Sequence, residues 1–589
     1  MAMQKVKLII DGINVSVPEG TTILNAAKKV GIKIPTLCYM EHVGLKHIKH
    51  DVGACRVCVV EVEGKKDLVS SCNTVVENGM VVYTHTKRVL DSRRLNLELI
   101  LSDHHLDCTI CPKNGNCELQ KICAELNVRE IRTKGDKKDF EIDMSSPSLI
   151  RNPNKCVLCQ RCITACKKLQ TVDVLELHGN GFEAIVRPIG GKNLIETKCV
   201  ACGQCALVCP TGAIVEKDDT VLVWQALNNP QKYVVVQTAP ATHVTIGEAF
   251  GLSCGTDITG KMVTALKMLG FDAVFDTNWA ADLTIMEEGY ELIHRINNGG
   301  VLPQFTSCSP GWIKFVEEFY PDLIPHLSSC KPPQQMFGAV AKTYYAEKKG
   351  LNPEDIFVVS VMPCTAKKYE AARPEMISAS KYWNNSQISR DVDVVLTSRE
   401  LIRMIKEAGL NFASLPDSSY DPLMGEGTGA AQIFGATGGV MEAALRTAYE
   451  VVTGKMLSKL DFEEVRGMQD TKEAVVEMNG LKVKVLVVHS LGAARELMDK
   501  IRAGELRDYH FIEVMACPGG CIGGGGQPIP TTVEEREHRI QGIYERDKKL
   551  PLRKSHENPE IKAIYQEFLK EPLRERSHKL LHTKYTPRG

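Results

Sequence analysis

The sequence predicts a multidomain α+β protein, with small cysteine-rich domains in front of a larger α/β unit. Three observations carry this. A chain of 589 residues is too long for one ordinary core, so several domains are expected. Most of its 22 cysteines fall before residue 210, in tight clusters. From about residue 223 the texture changes to short apolar runs alternating with helical segments, the pattern of a largely parallel sheet.

Charge and hydropathy exclude several classes. Lys+Arg and Asp+Glu are both 72, which leaves no electrostatic footprint for nucleic acid or an anionic membrane. The opening MAMQKVKLII has no apolar signal core, and no apolar run reaches spanning length, so a cytoplasmic location is expected. In a reducing compartment, closely spaced cysteines read as metal ligands rather than disulfides. Cys123 and Cys254, standing alone, read as inert buried thiols.

In chain order, KVKLIIDGINVSV alternates on both sides of Asp11-Gly12, a strong hairpin signal. Thr22 to Val30 reads as a short helix closed by Gly31. Cys38, Cys55, Cys58 and Cys72 follow as C-x16-C-x2-C-x13-C, with a tight turn at Gly53-Ala54-Cys55. Four thiolates suit a 2Fe-2S cluster or a zinc ion. The hairpin-helix-loop order resembles a plant-type ferredoxin domain and favours iron; residues 1–80 are assigned to it. Leu95 to Leu101 forms the apolar side of a helix leading into DHHLDCTICPKNGNC. There His104, Cys108, Cys111 and Cys117 form a set of one histidine and three cysteines for a 4Fe-4S cluster, with His105 as the competing histidine. This segment is bounded at 81–145.

KCVLCQRCITAC and KCVACGQCALVCP each read C-x2-C-x2-C-x3-C, an internal duplication typical of two-cluster ferredoxins. The fourth cysteine of each run serves the other cluster. Cys156, Cys159, Cys162 and Cys209 are therefore expected to hold one 4Fe-4S cluster. Cys199, Cys202, Cys205 and Cys166 are expected to hold the second, within residues 146–222.

In the rear unit, KYVVVQTA, DAVFD, VLPQFTSC, IFVVSVMPC, DVVLTS, VKVLVVH and HFIEVMAC are the expected strands. Ligands sit beyond the carboxyl ends of strands in such sheets, and Cys308, Cys364 and Cys517 fall there. Cys521 joins from ACPGGCIGGGGQP, whose glycines would let backbone approach a bulky, compact group. GTDITGKM lacks the Ser/Thr of a phosphate loop and reads as a helix start, and GEGTGA has no strand leading into it. Neither supports a flavin or nicotinamide site.

FTSCSPGW, VMPCTAKKYE and EVMACPGGCIGGGGQP resemble the three signature segments of iron-iron hydrogenases. RKSHENP and HKLLHTKY resemble the C-terminal tail of that family. The resemblance spans the chain. It implies ferredoxin-like iron-sulfur domains followed by a two-lobed α/β hydrogenase catalytic domain (223–530) and a small-subunit-like tail (531–589). The implied activity is reversible hydrogen oxidation at an H-cluster, a 4Fe-4S cubane joined to a diiron site with carbonyl, cyanide and a bridging dithiolate. With it come one 2Fe-2S and three accessory 4Fe-4S clusters.

Carried over by position, Cys364, Cys517 and Cys521 hold the cubane, with Cys521 bridging. Lys367 donates to a cyanide, and Met362, Met515 and Gln334 contact the cofactor. Ala241 stands where relatives can carry a serine. Relatives show two adjacent cysteines where this chain has Cys308 and Ser309. The family pattern makes Cys308 the proton relay, continued by Glu288, Glu291, Arg295 and Ser328, and leaves Ser309 as an oxygen ligand. A ligand role for Cys308, or a contribution from Cys330, stays open.

The layout is similar to the catalytic subunit of multimeric, NAD(P)-linked, electron-bifurcating hydrogenases. It implies a flavin- and NAD(P)-binding iron-sulfur subunit, a small 2Fe-2S subunit and ferredoxin as partners. The other readings are an electron-transfer subunit of an NADH dehydrogenase-like complex, and a ferredoxin-only or sensory hydrogenase.

Overall fold

The computed structural model describes residues 4–50, 53–133, 135–137 and 139–588. Met1 to Met3, which head the stretch read above for an export signal, lie outside it.

The N-terminal sheet contains Lys5–Ile10 (β1), Ile13–Pro18 (β2), Val59–Val62 (β3), Val69–Ser70 (β4) and Val81–Tyr83 (β5), in the order β2-β1-β5-β3-β4. β1 buries every second residue, as its alternating sequence requires. It turns into β2 through Asp11 at φ 47° and Gly12 at φ 82°, the left-handed pair that a two-residue hairpin needs. The helix Ile23–Lys29 is capped by Thr22, whose side chain accepts from the Asn25 amide. A longer helix, Lys87–Asp103, ends at His104 and delivers the second cysteine-rich segment. The duplicated segment is held by two small antiparallel pairs. Leu149–Arg151 (β6) joins Ile214–Glu216 (β9), and Leu175–His178 (β7) joins Ile185–Pro188 (β8).

The rear unit has two lobes, each built on a four-stranded sheet. The first sheet, wholly parallel, runs β11-β10-β13-β14 from Tyr233–Thr238 (β10), Ala273–Asp276 (β11), Ile356–Met362 (β13) and Val394–Thr397 (β14). The second runs β12-β17-β16-β15 from Gln304–Phe305 (β12), Thr471–Met478 (β15), Leu481–His489 (β16) and Phe511–Met515 (β17). All the expected strands are present. β15 was not among them. It pairs antiparallel at a sheet edge and exposes alternate residues, so TKEAVVEM lacks the continuous apolar run of its buried neighbours. Gly260 and Lys261 lie in the helix Thr259–Met268, and Lys261 Nζ donates to the Leu415 carbonyl at 2.6 Å.

The C-terminal tail binds the parts together. In the helix Val533–Lys549, Arg536 donates to the Gly44 carbonyl at 3.0 Å and buried Arg539 pairs with Glu248 at 2.6 Å. Among the described residues no helix is long and apolar enough to cross a membrane.

Candidate functional site

Cys38 and Cys55 share a hydrogen bond, and the Cys58 and Cys72 sulfurs lie 3.3 Å apart. All four residues are buried. Among the described residues, no three of these sulfurs fall within 4.8 Å of one another. Thiolates around one zinc, with Zn–S of ~2.3 Å, would sit roughly 3.8 Å apart on every edge. Two pairs fit two irons, not one zinc. Arg161 Nε donates to the Cys38 carbonyl at 3.2 Å and so joins this site to the duplicated segment.

His104, His105, Cys108, Cys111 and Cys117 line one cavity, which Cys123 also borders. His104 is buried and His105 half-buried. The duplicated runs cross over as their spacing predicts. Cys156, Cys159 and Cys162 share a cavity with Cys209, whereas Cys199, Cys202 and Cys205 share another with Cys166.

The remaining predicted cysteines converge between the two lobes, around one cavity. Its wall is made from the carboxyl ends of strands in both sheets: Ala239 and Pro240 after β10, Thr277 after β11, Met362 to Cys364 at β13, and Met515 to Cys517 at β17. Cys308, Ser309, Gln334, Lys367 and Cys521 complete the polar and sulfur lining. Cys202 borders this cavity as well as its own, so the two sites share a wall. Ala241 is fully buried next to it but is not part of the wall.

Of the glycines of ACPGGCIGGGGQP, Gly520 and Gly524 form part of the cavity wall, and the run also packs tightly against its neighbours. A Cβ on Gly524 would lie 2.2 Å from the Pro363 carbonyl, and one on Gly525 2.3 Å from the Cys202 carbonyl. They permit close packing of backbone on backbone, which brings Cys521 to Cys364 and to the cluster domain.

Cys308 and Ser309 are set at the start of the helix Pro310–Phe319, where Pro310 takes the first position and Trp312 is fully buried. Ser309 Oγ accepts from the Ala516 amide at 3.2 Å, which fixes its rotamer at the cavity edge. Cys330 does not face the cavity. Its sulfur lies 3.7 Å from Glu291 Oε2 and 4.0 Å from His582 Nδ1, which removes it from the ligand candidates.

Glu288 and Glu291 lie on the inner face of the helix Thr277–Asn298. Neither Glu288 oxygen meets full hydrogen-bond geometry, although the Ser328 hydroxyl and the Ser307 amide lie close enough to favour its charged form. Burial, then the charge of Glu291, pushes its carboxyl up to about 8. Burial also acts on Glu291, but the Arg295 guanidinium and Ser328 outweigh it and hold this acid below its ordinary value. Ser328 Oγ donates to Glu291 Oε2 at 2.8 Å, and Arg295 Nη2 donates to Oε1 at 2.6 Å. Burial, then Glu288, raises the Cys308 thiol far above its usual value. Two neighbouring acids are thus driven to opposite protonation states, the arrangement that allows one to give a proton and the other to receive it.

Lys367 is buried, and its charge meets an anion from the protein. Nζ lies 3.0 and 2.9 Å from the two oxygens of Glu370 and 3.1 Å from the Cys308 carbonyl. Glu370 also accepts from Gln334 Nε2 at 3.1 Å, so one carboxylate orients both cavity-lining donors. Sequence reasoning missed Glu370, although its i,i+3 spacing from Lys367 was the available signal. Gln334 Oε1 is buried with no partner, and Met362 and Met515 are 2% and 3% exposed. An apolar, sulfur-edged cavity with one unsatisfied amide and an anchored ammonium suits a compact iron-sulfur group bearing small anionic ligands.

Comparison with known proteins agrees with this geometry. The family described as iron only hydrogenase large subunit, C-terminal domain, matches residues 232–525, and the iron hydrogenase small subunit family matches 533–588. In front of them, a 2Fe-2S cluster binding domain matches residues 3–87, the NADH-ubiquinone oxidoreductase-G iron-sulfur binding region 93–132, and a 4Fe-4S binding domain 193–215. The chain is 51% identical to NADP-reducing hydrogenase subunit HndD of Solidesulfovibrio fructosivorans, over 100% of both chains. It is 42% identical to iron hydrogenase 1 of Clostridium pasteurianum, over 98% of this chain and 99% of that protein. A solved structure of a variant of FeFe-hydrogenase HydA1 from Chlamydomonas reinhardtii superposes with a TM-score of 0.56 at 43% identity, covering 63% of this chain and 99% of that one. The two-lobed cavity, its three signature segments and the cluster domains ahead of it place this chain in the iron-only hydrogenase family.

Proposed function

We propose that this hydrogenase oxidises hydrogen reversibly to two protons and two electrons, with Cys308, Glu288, Ser328, Glu291 and Arg295 carrying protons between the interlobe cavity and the surface. The observation that carries this is the run of contacts from Arg295 to Glu291 and Ser328, with buried Glu288 electrostatically linked both to Glu291 and to Cys308 at the cavity wall. Cys364, Cys517 and Cys521, with Ser309 as oxygen donor, would hold the cubane of a six-iron cluster, with Cys521 as the bridge. Lys367, Gln334, Met362 and Met515 would contact its diiron part. When bound, that cluster supplies the redox chemistry of hydrogen cleavage. The protein positions it, excludes water and moves the proton at Cys308.

The accessory residues would hold one 2Fe-2S cluster on Cys38, Cys55, Cys58 and Cys72, one 4Fe-4S cluster on His104, Cys108, Cys111 and Cys117, and two more in the duplicated segment. Burial favours His104 over His105 as the histidine ligand. Together with the six-iron cluster these come to about 20 irons per chain. The cluster-bearing segments (1–80, 81–145 and 146–222) would then form a relay from the catalytic unit (223–530) towards a partner, with the tail (531–589) bracing the catalytic lobes.

The pH dependence follows from Glu288. Its carboxyl keeps its proton up to about pH 8, so proton delivery for hydrogen evolution should fall as pH rises through about 8. Oxidation, which needs the carboxylate as acceptor, should gain over the same range. Glu288→Gln should remove this limb from both profiles and lower turnover by ~10²–10⁴-fold. A limb that persists in the variant would assign it to another group.

The full-length relative named as an NADP-reducing hydrogenase subunit supports a nicotinamide-linked complex. We place a flavin- and NAD(P)-binding subunit and a small 2Fe-2S subunit beside this chain in the cytoplasm, with ferredoxin as second electron partner in a bifurcating enzyme. The matured chain alone should then reduce one-electron dyes with hydrogen but not NAD(P)+. Nicotinamide reduction by the flavin-free single chain would refute that division of labour.

A further inference from the structure

We propose that Glu291, Cys330 and His582 form a binding site for a thiophilic divalent cation of the zinc type, and that its occupancy shuts the proton relay. Carboxylate, thiol and imidazole come from the helix Thr277–Asn298, the HLSSCK loop and the C-terminal HKLLHTKY segment. Their donor atoms lie within 4.8 Å of one another, with Cys330 Sγ 3.7 Å from Glu291 Oε2 and 4.0 Å from His582 Nδ1. Ligands at ~2.0–2.3 Å around a tetrahedral zinc stand roughly 3.3–3.8 Å apart, so a small contraction of this triangle suffices.

The surroundings are those of a metal-binding histidine. His582 Nε2 lies 3.0 Å from Glu287 Oε2, and Tyr565 OH donates to the other Glu287 oxygen at 2.6 Å. A carboxylate on Nε2 fixes the proton there and turns the Nδ1 lone pair toward the sulfur, the orientation that strengthens an imidazole ligand. At present Nδ1 meets the Ser329 hydroxyl at 2.9 Å, which leaves that hydroxyl or a water as fourth ligand. His578, exposed and stacked on His582 at 4.9 Å, stands at the solvent side of the site.

Two other clusters of potential ligands occur among the described residues, and both already hold a cation. Lys554 bridges Glu450 and Glu557 at 2.9 and 3.0 Å, while Arg446 binds Glu442 and Asp547 at 2.6 and 2.9 Å. In the Glu291 cluster the guanidinium of Arg295 occupies Oε1, while Oε2 faces the sulfur and accepts from the Ser328 hydroxyl at 2.8 Å and the Ser329 amide at 3.1 Å, so a cation would take a lone pair of Oε2 in competition with these two neutral donors. Binding would release the Cys330 thiol proton to solvent, giving a thiolate–metal bond. Glu287, Glu291 and the thiolate then balance Arg295 and the dication. The inhibitory part of the proposal rests on the relay reading above, because the cation would take Glu291 out of proton exchange.

The test uses the fully matured chain, whose cluster cysteines are occupied, and zinc sulfate as probe. X-ray absorption at the zinc edge should show one zinc per chain bound by one sulfur and otherwise nitrogen and oxygen. Hydrogen turnover should fall about 10²-fold, the low end for losing a positioned proton-transfer group, and recover with a chelator. Cys330→Ala and His582→Gln, each compared with itself without zinc, should lose both the signal and the inhibition. Zinc bound through several sulfurs, no zinc bound, or equal inhibition in both variants would overturn the site. One-sulfur zinc with unchanged turnover would leave the site standing but overturn the block, and with it Glu291 as a relay.

Discussion

Replacing Cys308 by alanine should lower hydrogen turnover by roughly 10²–10⁴-fold while the cubane still assembles. The thiol lines the cavity, and of the acids within its electrostatic reach, Glu288 and Glu513, the buried Glu288 acts on it most strongly. Ser309→Ala should act differently. Its Oγ is fixed by the Ala516 amide at the cavity edge, so its loss should change the cubane's paramagnetic spectrum or loosen the cluster. Ser309→Cys should be tolerated, since it restores the thiolate common among relatives. Paramagnetic resonance on both alanine variants separates the roles. If Cys308→Ala loses the cubane and Ser309→Ala keeps it unaltered, the two assignments are reversed.

Cys521→Ala should abolish hydrogen turnover altogether and leave the accessory clusters intact. No neighbour can supply a replacement ligand, because the turn around Cys521 is packed backbone to backbone. A Cβ on Gly520, which sits at φ 90°, would meet the Thr437 amide at 2.7 Å, and one on Gly523 the Pro518 carbonyl at 2.1 Å. The accessory cysteines, by contrast, all precede residue 210, and of them only Cys202 borders the cavity that Cys521 lines. Their paramagnetic signals should therefore survive. Turnover that persisted in Cys521→Ala would show that another group links the catalytic iron to the protein.

Features with a local signature were legible in the sequence. Ligand spacing is a property of a few consecutive residues, so the exchange of Cys166 and Cys209 between the duplicated runs could be written down before any coordinates, and both residues lie where the crossing requires. The buried strands announced themselves as apolar runs, whereas the half-exposed edge strand β15 did not. Partners brought together by folding were harder to see. His582 reaches Glu287 across 295 residues of sequence, and Ser328 reaches Glu291 from another loop. Lys367 stood out through its motif as a donor to a cyanide, but its anion within the protein, Glu370, escaped notice because surface lysines and glutamates share the same i,i+3 spacing. The spacing of the four N-terminal cysteines suited iron or zinc, the order of elements around them favoured iron, and their arrangement as two pairs agrees with two metal atoms.

The central claim is that the interlobe cavity takes a six-iron cluster whose diiron part carries carbonyl and cyanide. An infrared spectrum of the matured chain tests this most directly, because no protein group absorbs where metal-bound carbonyl and cyanide do. The account predicts both sets of bands, shifting when hydrogen is added and absent from Cys521→Ala. A matured chain holding about 20 irons but showing neither set would contradict it.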